Sequence, residues 1–242
     1  MTNNSWTNWQ TWRLTNRVCE CKDFMSFFLK PADGSPLPNF RAGQAVAVRA
    51  PGLDPRAYVL CCTPNEAMIR LTVMTGDEPG VGMPAYLSRM KIGDTIEVSA
   101  PAGSFVIESG DTPVVILGEG PGIAPAIAFL SELSTEAPLR PVHVLYAAKF
   151  GARFPLGPEL RKVAGLLPNA GLGIFFKAPE PQDRAGIDYD VAGDITIDKI
   201  RSVCMDPEAD YYIAGRPTFV KSLSESLARL RVIGSRIHTM TM

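Results

Sequence analysis

Residues 12–110 consist of short apolar runs separated by turn residues. Within each run the apolar side chains alternate with polar ones or follow one another directly, and Pro, Gly, Asp or Asn lies between runs. Evenly spaced runs of this kind predict an antiparallel six-stranded β-barrel, and one short helix is expected at residues 84–89. The six predicted strands span residues 12–18, 24–30, 45–50, 57–61, 68–74 and 95–100.

From residue 111 the pattern changes, and strand-length apolar runs alternate with segments of helical periodicity. This alternation predicts a parallel sheet with helices on both faces and a ligand at the carboxyl ends of its strands. We therefore expect a polar tail over residues 1–11, a barrel domain over 12–110 and an α/β domain over 111–242. The predicted strands are residues 113–117, 142–147, 172–176, 211–214 and 235–239, and the predicted helices are residues 123–133, 158–167, 196–204 and 218–230.

The first strand and helix of the α/β domain are joined by a turn with glycines at alternate positions. Gly118, Gly120 and Gly122 follow an apolar run, and Pro125 lies where a helix begins. Glycines let the backbone approach a phosphate, and the unpaired N–H groups of a first helical turn favour negative charge. The stretch predicts an anion site, although its spacing differs from the dinucleotide fingerprint Gly-x-Gly-x-x-Gly.

Composition and charge narrow the class of protein. The 242 residues are 46% hydrophobic and carry a formal net charge of −1, without a run of Lys or Arg, so a nucleic-acid or anionic-membrane partner is not expected. The apolar runs are too short to span a bilayer, and residues 2–10 lack the layout of a signal peptide, which predicts a cytoplasmic protein. The five cysteines lack zinc or iron–sulfur spacing, and no metal site is predicted.

Several motifs in this order resemble one family. The chain resembles the ferredoxin-NADP reductase family and, within it, the reductase portion of flavohaemoglobins, from about residue 12 to the last residue. The resemblance implies a flavin-binding barrel followed by an NAD(P)-binding α/β domain. The motifs that carry it are residues 40–44, 56–58, 93–94, 101–105, 118–125, 186–195 and 212–219.

The resemblance also implies cofactors and roles for individual residues. Arg56 would pair with a flavin phosphate and Tyr58 would lie against the isoalloxazine ring, roles that suit a guanidinium and an aromatic face. The implied cofactor is FAD, with FMN as the alternative, and NADH or NADPH is the implied substrate. The implied flavin-binding residues are Arg56, Ala57, Tyr58, Val59, Thr72, Val73, Met74, Gly82 and Met83, and those for the nucleotide are Gly120, Gly122, Ile123, Ala124 and Gly215.

Other positions depart from the family pattern. Val59 replaces a serine that can hydrogen-bond the flavin, and Pro84 removes a hydroxyl and an N–H donor from the pyrophosphate turn. Glu119 adds a negative charge to the glycine turn, where an acid would repel a phosphate unless it points away. Ala214, Arg216 and Met240 stand where the family has a cysteine, a proline and a glutamate.

Two functions fit these residues. In the first, NAD(P)H reduces a bound flavin, which passes electrons to a partner protein or a small acceptor, and Lys149 and Arg153 are compatible with the 2′-phosphate of NADPH. In the second, the chain binds flavin or another flat ligand between its domains as a binding or regulatory subunit, without turnover of NAD(P)H. The matched phosphate-facing residues favour the first function, and the lost polar groups favour the second. We assign no residue as a catalytic acid or base, and we assign no oligomeric state.

Overall fold

The computed structural model describes residues 9–63, 67–76 and 80–242. The chain divides into two compact units, residues 1–107 and 108–242. Of the polar tail predicted over residues 1–11, residues 1–8 lie outside the described part of the chain. In the part that is described, no helix is both long enough and apolar enough to cross a bilayer.

The first unit is built on an antiparallel sheet, as its alternating apolar runs predict. Its elements are β1 (Gln10–Cys21), β2 (Phe24–Pro31), β3 (Ala45–Arg49), β4 (Arg56–Val59), β5 (Ile69–Met74), the helix α1 (Met83–Arg89) and β6 (Thr95–Val98). The strand order β4-β3-β6-β1-β2-β5 leaves β4 and β5 at the two edges. An antiparallel bridge between Leu60, just after β4, and Leu71 of β5 joins these edges. The sheet is thereby closed on itself.

Side chains from alternate strand positions fill the interior of this unit. Trp12, Phe27 and Leu29 have no exposed surface, and their burial is the main contribution to the stability of the sheet. The buried hydroxyls of Ser26 and Thr72 lie 2.9 Å apart and satisfy each other. This packed interior fixes the start of β4 and the start of α1, which carry the first candidate cleft.

The second unit contains a parallel sheet with helices packed against it. Its strands are β7 (Val114–Glu119), β8 (Val142–Ala148), β9 (Ala170–Phe176), β10 (Val191–Ala192), β11 (Asp210–Gly215) and β12 (Ile237–Thr241), and its helices are α2 (Ile123–Glu136), α3 (Gly157–Ala164), α4 (Ile197–Val203) and α5 (Pro217–Arg229). The strand order is β10-β9-β8-β7-β11-β12. Because the strands are parallel, their carboxyl ends meet at one edge of the sheet, where the second candidate cleft lies.

All six residues of β7 are buried, which explains why this strand reads as an unbroken apolar run. Val115 and Leu117 pack in one cluster with Val220 and Leu223 of α5. Side chains alternate between the two faces of a strand, so Glu119 projects on the same face as Val115 and Leu117. The last residue of β7 therefore brings a carboxylate to the start of α5.

The predicted fold class is confirmed, and the differences from the prediction are local. The glycine turn is a 3-10 turn (Gly120–Gly122), and α2 begins directly after it. The strand β10 was not predicted, because a two-residue strand carries no periodicity that a sequence pattern can reveal.

Candidate functional site

A cleft of about 560 Å³ lies in the first unit beside the start of β4. The Arg56 side chain is exposed there, and Gly82 and Met83, at the start of α1, form part of the same wall. The residues that line this cleft are Gly52, Leu53, Asp54, Pro55, Arg56, Gly82 and Met83. The structure thus brings Arg56 together with Gly82 and Met83, which are remote from it in the chain and which the family resemblance assigns to the same cofactor.

Tyr58 lies next to this cleft with an unsatisfied hydroxyl group. Its Oη atom is buried, and no hydrogen-bond partner is found for it within the described residues. Burial raises the pKa of Tyr58 to about 12, against a smaller opposing effect of the Arg56 charge. The Arg56 guanidinium carbon lies 5.9 Å from the centre of the Tyr58 ring. A buried hydroxyl without a partner is costly, so this pair fits a bound group with an acceptor or donor for Tyr58.

The other residues predicted to bind the flavin differ in how far they are buried. Ala57 is exposed, whereas Val59 is buried. Thr72 and Val73 are both buried, and the Thr72 hydroxyl is paired with that of Ser26. Met74, at the end of β5, keeps 47% of its surface exposed and is free to contact a ligand.

The glycine turn of the second unit combines open space with close packing. Gly120 has a φ of +53°, and the space that a Cβ would occupy there is empty within 4 Å. At Gly122, by contrast, a Cβ would lie 2.3 Å from the Ala214 carbonyl oxygen, so only glycine lets the turn pack against β11. The Tyr146 hydroxyl donates to the Gly120 carbonyl over 2.8 Å and fixes the turn. Gly120 is therefore the position at which a ligand can approach, while Gly122 has a packing role.

The Glu119 carboxylate is the centre of a compact charge cluster. Its side chain is 3% exposed and accepts from Arg216 Nε over 2.8 Å, from Arg216 Nη2 over 3.1 Å and from the Arg216 backbone N–H over 3.3 Å. Lys177 Nζ also donates to Glu119, and it lies 2.9 Å from Asp194 Oδ1. The carboxyl ends of β7, β9, β10 and β11 thus bring two carboxylates and two cations together.

Electrostatics keep Glu119 ionised in this cluster. Burial alone raises the pKa of the Glu119 carboxyl, but the hydrogen bonds and charges of Arg216 and Lys177 outweigh burial and hold it below its usual value. The same contacts raise the pKa of Arg216. Both partners therefore carry full charge at neutral pH.

The charge cluster forms one end of a cleft of about 400 Å³ in the second unit. The lining of the cleft combines charged groups, apolar side chains and hydroxyl groups, and it includes the aromatic residue Phe219. Its lining residues are Glu119, Lys177, Asp194, Ile195, Thr196, Ile197, Arg216, Thr218, Phe219, Ser222, Leu223 and Ser226. Such a mixture suits a ligand with a flat apolar group and a charged group.

Comparisons with known proteins show which sequences and folds this chain is similar to. No protein-family model matches the chain. It is 33% identical to the flavohaemoprotein of Chromobacterium violaceum over 244 residues, which cover 96% of the chain and 60% of that relative. The flavohaemoglobin-like FAD/NAD-binding domain of nitric oxide dioxygenase from Vibrio cholerae superposes with a TM-score of 0.84 at 24% identity, over 96% of this chain and 98% of that one. The ferredoxin-NADP⁺ reductase of Plasmodium falciparum superposes with a TM-score of 0.77 at 14% identity, over 97% of each chain.

The chain has the ferredoxin-NADP reductase fold, and its sequence is similar to part of the flavohaemoproteins. It spans 60% of the length of the Chromobacterium violaceum flavohaemoprotein. The resemblance that the motifs indicated is thereby confirmed over nearly the whole chain.

The repulsion expected from Glu119 depended on where its carboxylate points. The structure directs it to Arg216 and Lys177, which both bind it and compensate its charge. The sequence contained one indication of this pairing. The residues at positions 119 and 216 both differ from the family pattern, and one is an acid and the other a base. The sequence held no signal for Lys177 and Asp194, whose positions depend on how a long loop folds back.

The two basic residues after β8 lie apart from the cleft lining. Lys149 is exposed, and its Nζ atom lies 5.6 Å from the centre of the Phe150 ring. The Arg153 guanidinium carbon lies 5.8 Å from the same ring. Two cations over one aromatic ring make a basic surface at this strand end, and its role in nucleotide selection stays a prediction.

Proposed function

We propose that this chain is an NAD(P)H-dependent flavin oxidoreductase that passes electrons to a partner protein or a small acceptor. The observation that carries the proposal is the buried, unpartnered Tyr58 hydroxyl beside the Arg56 cleft, among the described residues of the first unit. The domain from Vibrio cholerae, described as FAD/NAD-binding, has the same fold and supports the assignment.

The residues of the first cleft fit a flavin nucleotide. Arg56 supplies an exposed cation for a phosphate, and Gly82 and Met83 provide backbone at the same wall. Tyr58 supplies an aromatic face and a hydroxyl that requires a partner. Ala57, Val59, Thr72, Val73 and Met74 would complete the flavin surroundings, and FAD is the proposed cofactor with FMN as the alternative.

The glycine turn and the second cleft fit a nicotinamide nucleotide. Gly120 offers open space to a phosphate, and Ile123 and Ala124 begin the helix behind it. Gly215 lies at the end of the adjacent strand β11. We propose that NADH or NADPH binds here, with its phosphates near the turn.

When bound, the flavin supplies the redox chemistry, because it accepts a hydride from the nicotinamide and releases electrons to an acceptor. The residues of the chain would bind and orient the flavin and the nicotinamide nucleotide. Arg56 and Tyr58 would fix the flavin, and Glu119 with its two cations would shape the end of the nucleotide cleft. The largest contribution to the rate of hydride transfer that we assign to the protein is the alignment of the flavin with the nicotinamide.

The acceptor is a second part of the proposal. The chain covers 60% of the Chromobacterium violaceum flavohaemoprotein, whose name indicates a haem in that protein. A haem protein is therefore one class of acceptor, and a small acceptor is the other.

A binding or regulatory role is the second candidate function, and the apolar replacements favour it. Val59 is buried, and its aliphatic side chain has no hydroxyl that could hydrogen-bond a flavin. Ala214 pairs with Met240 between β11 and β12, and both lack the polar groups of the family. In this case the chain would hold a flavin without reacting with NAD(P)H.

The flavin assignment is tested by Arg56→Ala. We expect the purified variant to lose most of its flavin, because the phosphate loses its cation, which is worth roughly 1.5–3 kcal/mol, or about ten- to one-hundred-fold in affinity. The measurement is the ratio of flavin to protein absorbance. Arg49→Ala is the matched control, because Arg49 lies on β3 and pairs with Glu97 at the surface. Equal flavin content in both variants would refute the role of Arg56.

A further inference from the structure

The two cations that bind Glu119 keep surface open to the second cleft. The Arg216 side chain is 62% exposed, and its Nη1 group has no hydrogen-bond partner among the described residues. Lys177 is 21% exposed, and its Nζ atom lies 5.9 Å from the centre of the Phe219 ring. Glu119 therefore uses only part of the donor capacity of Arg216, which is itself one of the residues that line the cleft.

Three contacts to one buried carboxylate restrict the Arg216 side chain. Glu119 accepts from its Nε, its Nη2 and its backbone N–H, so the guanidinium plane is fixed relative to β7. An arginine held in this way loses little further rotamer freedom when it binds an anion. Glu119 lies next to Gly120, the open position of the glycine turn.

We propose that Glu119 is a positioning residue and that Arg216, fixed by Glu119, binds a phosphate of the nicotinamide nucleotide. This inference rests on the proposed function and adds a binding residue and a role for the acid. Lys177 supports the arrangement by sharing the carboxylate and by pairing with Asp194. Positions 119 and 216 both differ from the family pattern, and their side chains carry opposite charges. On this proposal the two differences act together, because Glu119 anchors the Arg216 guanidinium, which contributes to phosphate binding.

The test measures nucleotide binding directly, by isothermal titration calorimetry of the flavin-loaded protein with NAD⁺ and NADP⁺. We expect Arg216→Ala to weaken both by about tenfold or more, because a charge-assisted hydrogen bond is lost. Glu119→Gln should weaken both by several-fold, because its amide N–H₂ cannot accept from Arg216 and Lys177 as the carboxylate does. In the Arg216→Ala background, Glu119→Gln should have little further effect, because Glu119 acts through Arg216.

Arg229→Ala is the matched control for the arginine and Glu225→Gln for the acid. Both lie in the last turns of α5 and form a 3.9 Å pair away from the cleft. Neither should change nucleotide affinity, flavin content or the flavin reduction rate at saturating nucleotide. In Arg216→Ala, that saturating rate should be retained while the nucleotide concentration for half-saturation rises, a split that a general loss of structure would not produce.

Two results would overturn the inference and leave the proposed function standing. One is unchanged affinity in Arg216→Ala with normal flavin reduction by the wild-type protein. The other is tighter binding in Glu119→Gln, which would mean that the acid repels the phosphate rather than positions a cation. If the wild-type protein binds neither nucleotide, both the inference and the proposed function are wrong.

Discussion

At the scale of single residues, Gly215 controls the position of Glu119. A Cβ at this position would lie 2.6 Å from Glu119 Cγ and 3.0 Å from Phe219 Cδ1. The absence of a side chain thus lets the acid reach Arg216. Gly215 was predicted to contact the nucleotide, and the structure gives it a second task, which is to leave room for the carboxylate.

Gly215→Ala should displace Glu119 and destabilise the protein by about 1–3 kcal/mol, the usual cost of an added methyl group in a packed site. We also expect weaker nucleotide binding, because Arg216 loses its anchor. Urea unfolding and calorimetry measure the two effects. Gly234→Ala is the control, since a Cβ there meets nothing within 4 Å. If Gly215→Ala is as stable as the control, the side chains of the charge cluster rearrange around the added methyl group without lowering the free energy of unfolding.

At the scale of secondary-structure elements, the loop between α2 and β8 is fixed by one buried arginine. Arg140 is 3% exposed on its side chain and donates to the Thr112 carbonyl over 2.6 Å and to the Glu108 carbonyl over 2.7 Å. Its Nη2 atom lies 3.7 Å from Asp210 Oδ2. These contacts tie the segment before β7 to the start of β11.

Arg140→Met should lower the free energy of unfolding by about 3 kcal/mol, because two buried carbonyls lose their hydrogen-bond donor and the Asp210 carboxylate loses a nearby positive charge. Chemical denaturation with urea measures this loss. Arg201→Met, at an exposed position of α4, should change the stability by less than about 0.5 kcal/mol. If the two variants unfold at the same urea concentration, the Arg140 contacts contribute nothing to stability.

The elements themselves were largely predictable. The strand β7 is buried along its whole length, so its apolar run is conspicuous, and the glycine turn marks its end. The strand β10 and the bridge from Leu60 to Leu71 were not predictable, because each depends on contacts between segments remote in sequence. Likewise Arg56, Gly82 and Met83 could be grouped only through a family resemblance, since no spacing relates them.

At the scale of the whole molecule, each unit carries a cleft among its described residues, and the two clefts differ in chemistry. The first has an exposed guanidinium and a tyrosine hydroxyl that lacks a partner within the described residues. The second has a neutralised charge cluster and an apolar wall. The residues predicted for the flavin include three that line the first cleft, whereas none of the residues predicted for the nucleotide lines the second. The ion pairs of Glu119 could not be predicted, because pairing between strand ends is a property of the folded sheet.

The central claim is that nicotinamide nucleotide reduces a flavin bound to this chain. The most direct test is an anaerobic titration of the purified protein with NADH and then NADPH, followed by visible absorbance. We predict a flavin spectrum that bleaches with at least one nucleotide, and faster bleaching with NADPH would support the predicted role of Lys149 and Arg153. A protein without flavin, or a bound flavin that neither nucleotide bleaches, would contradict the reductase account and favour the binding or regulatory function.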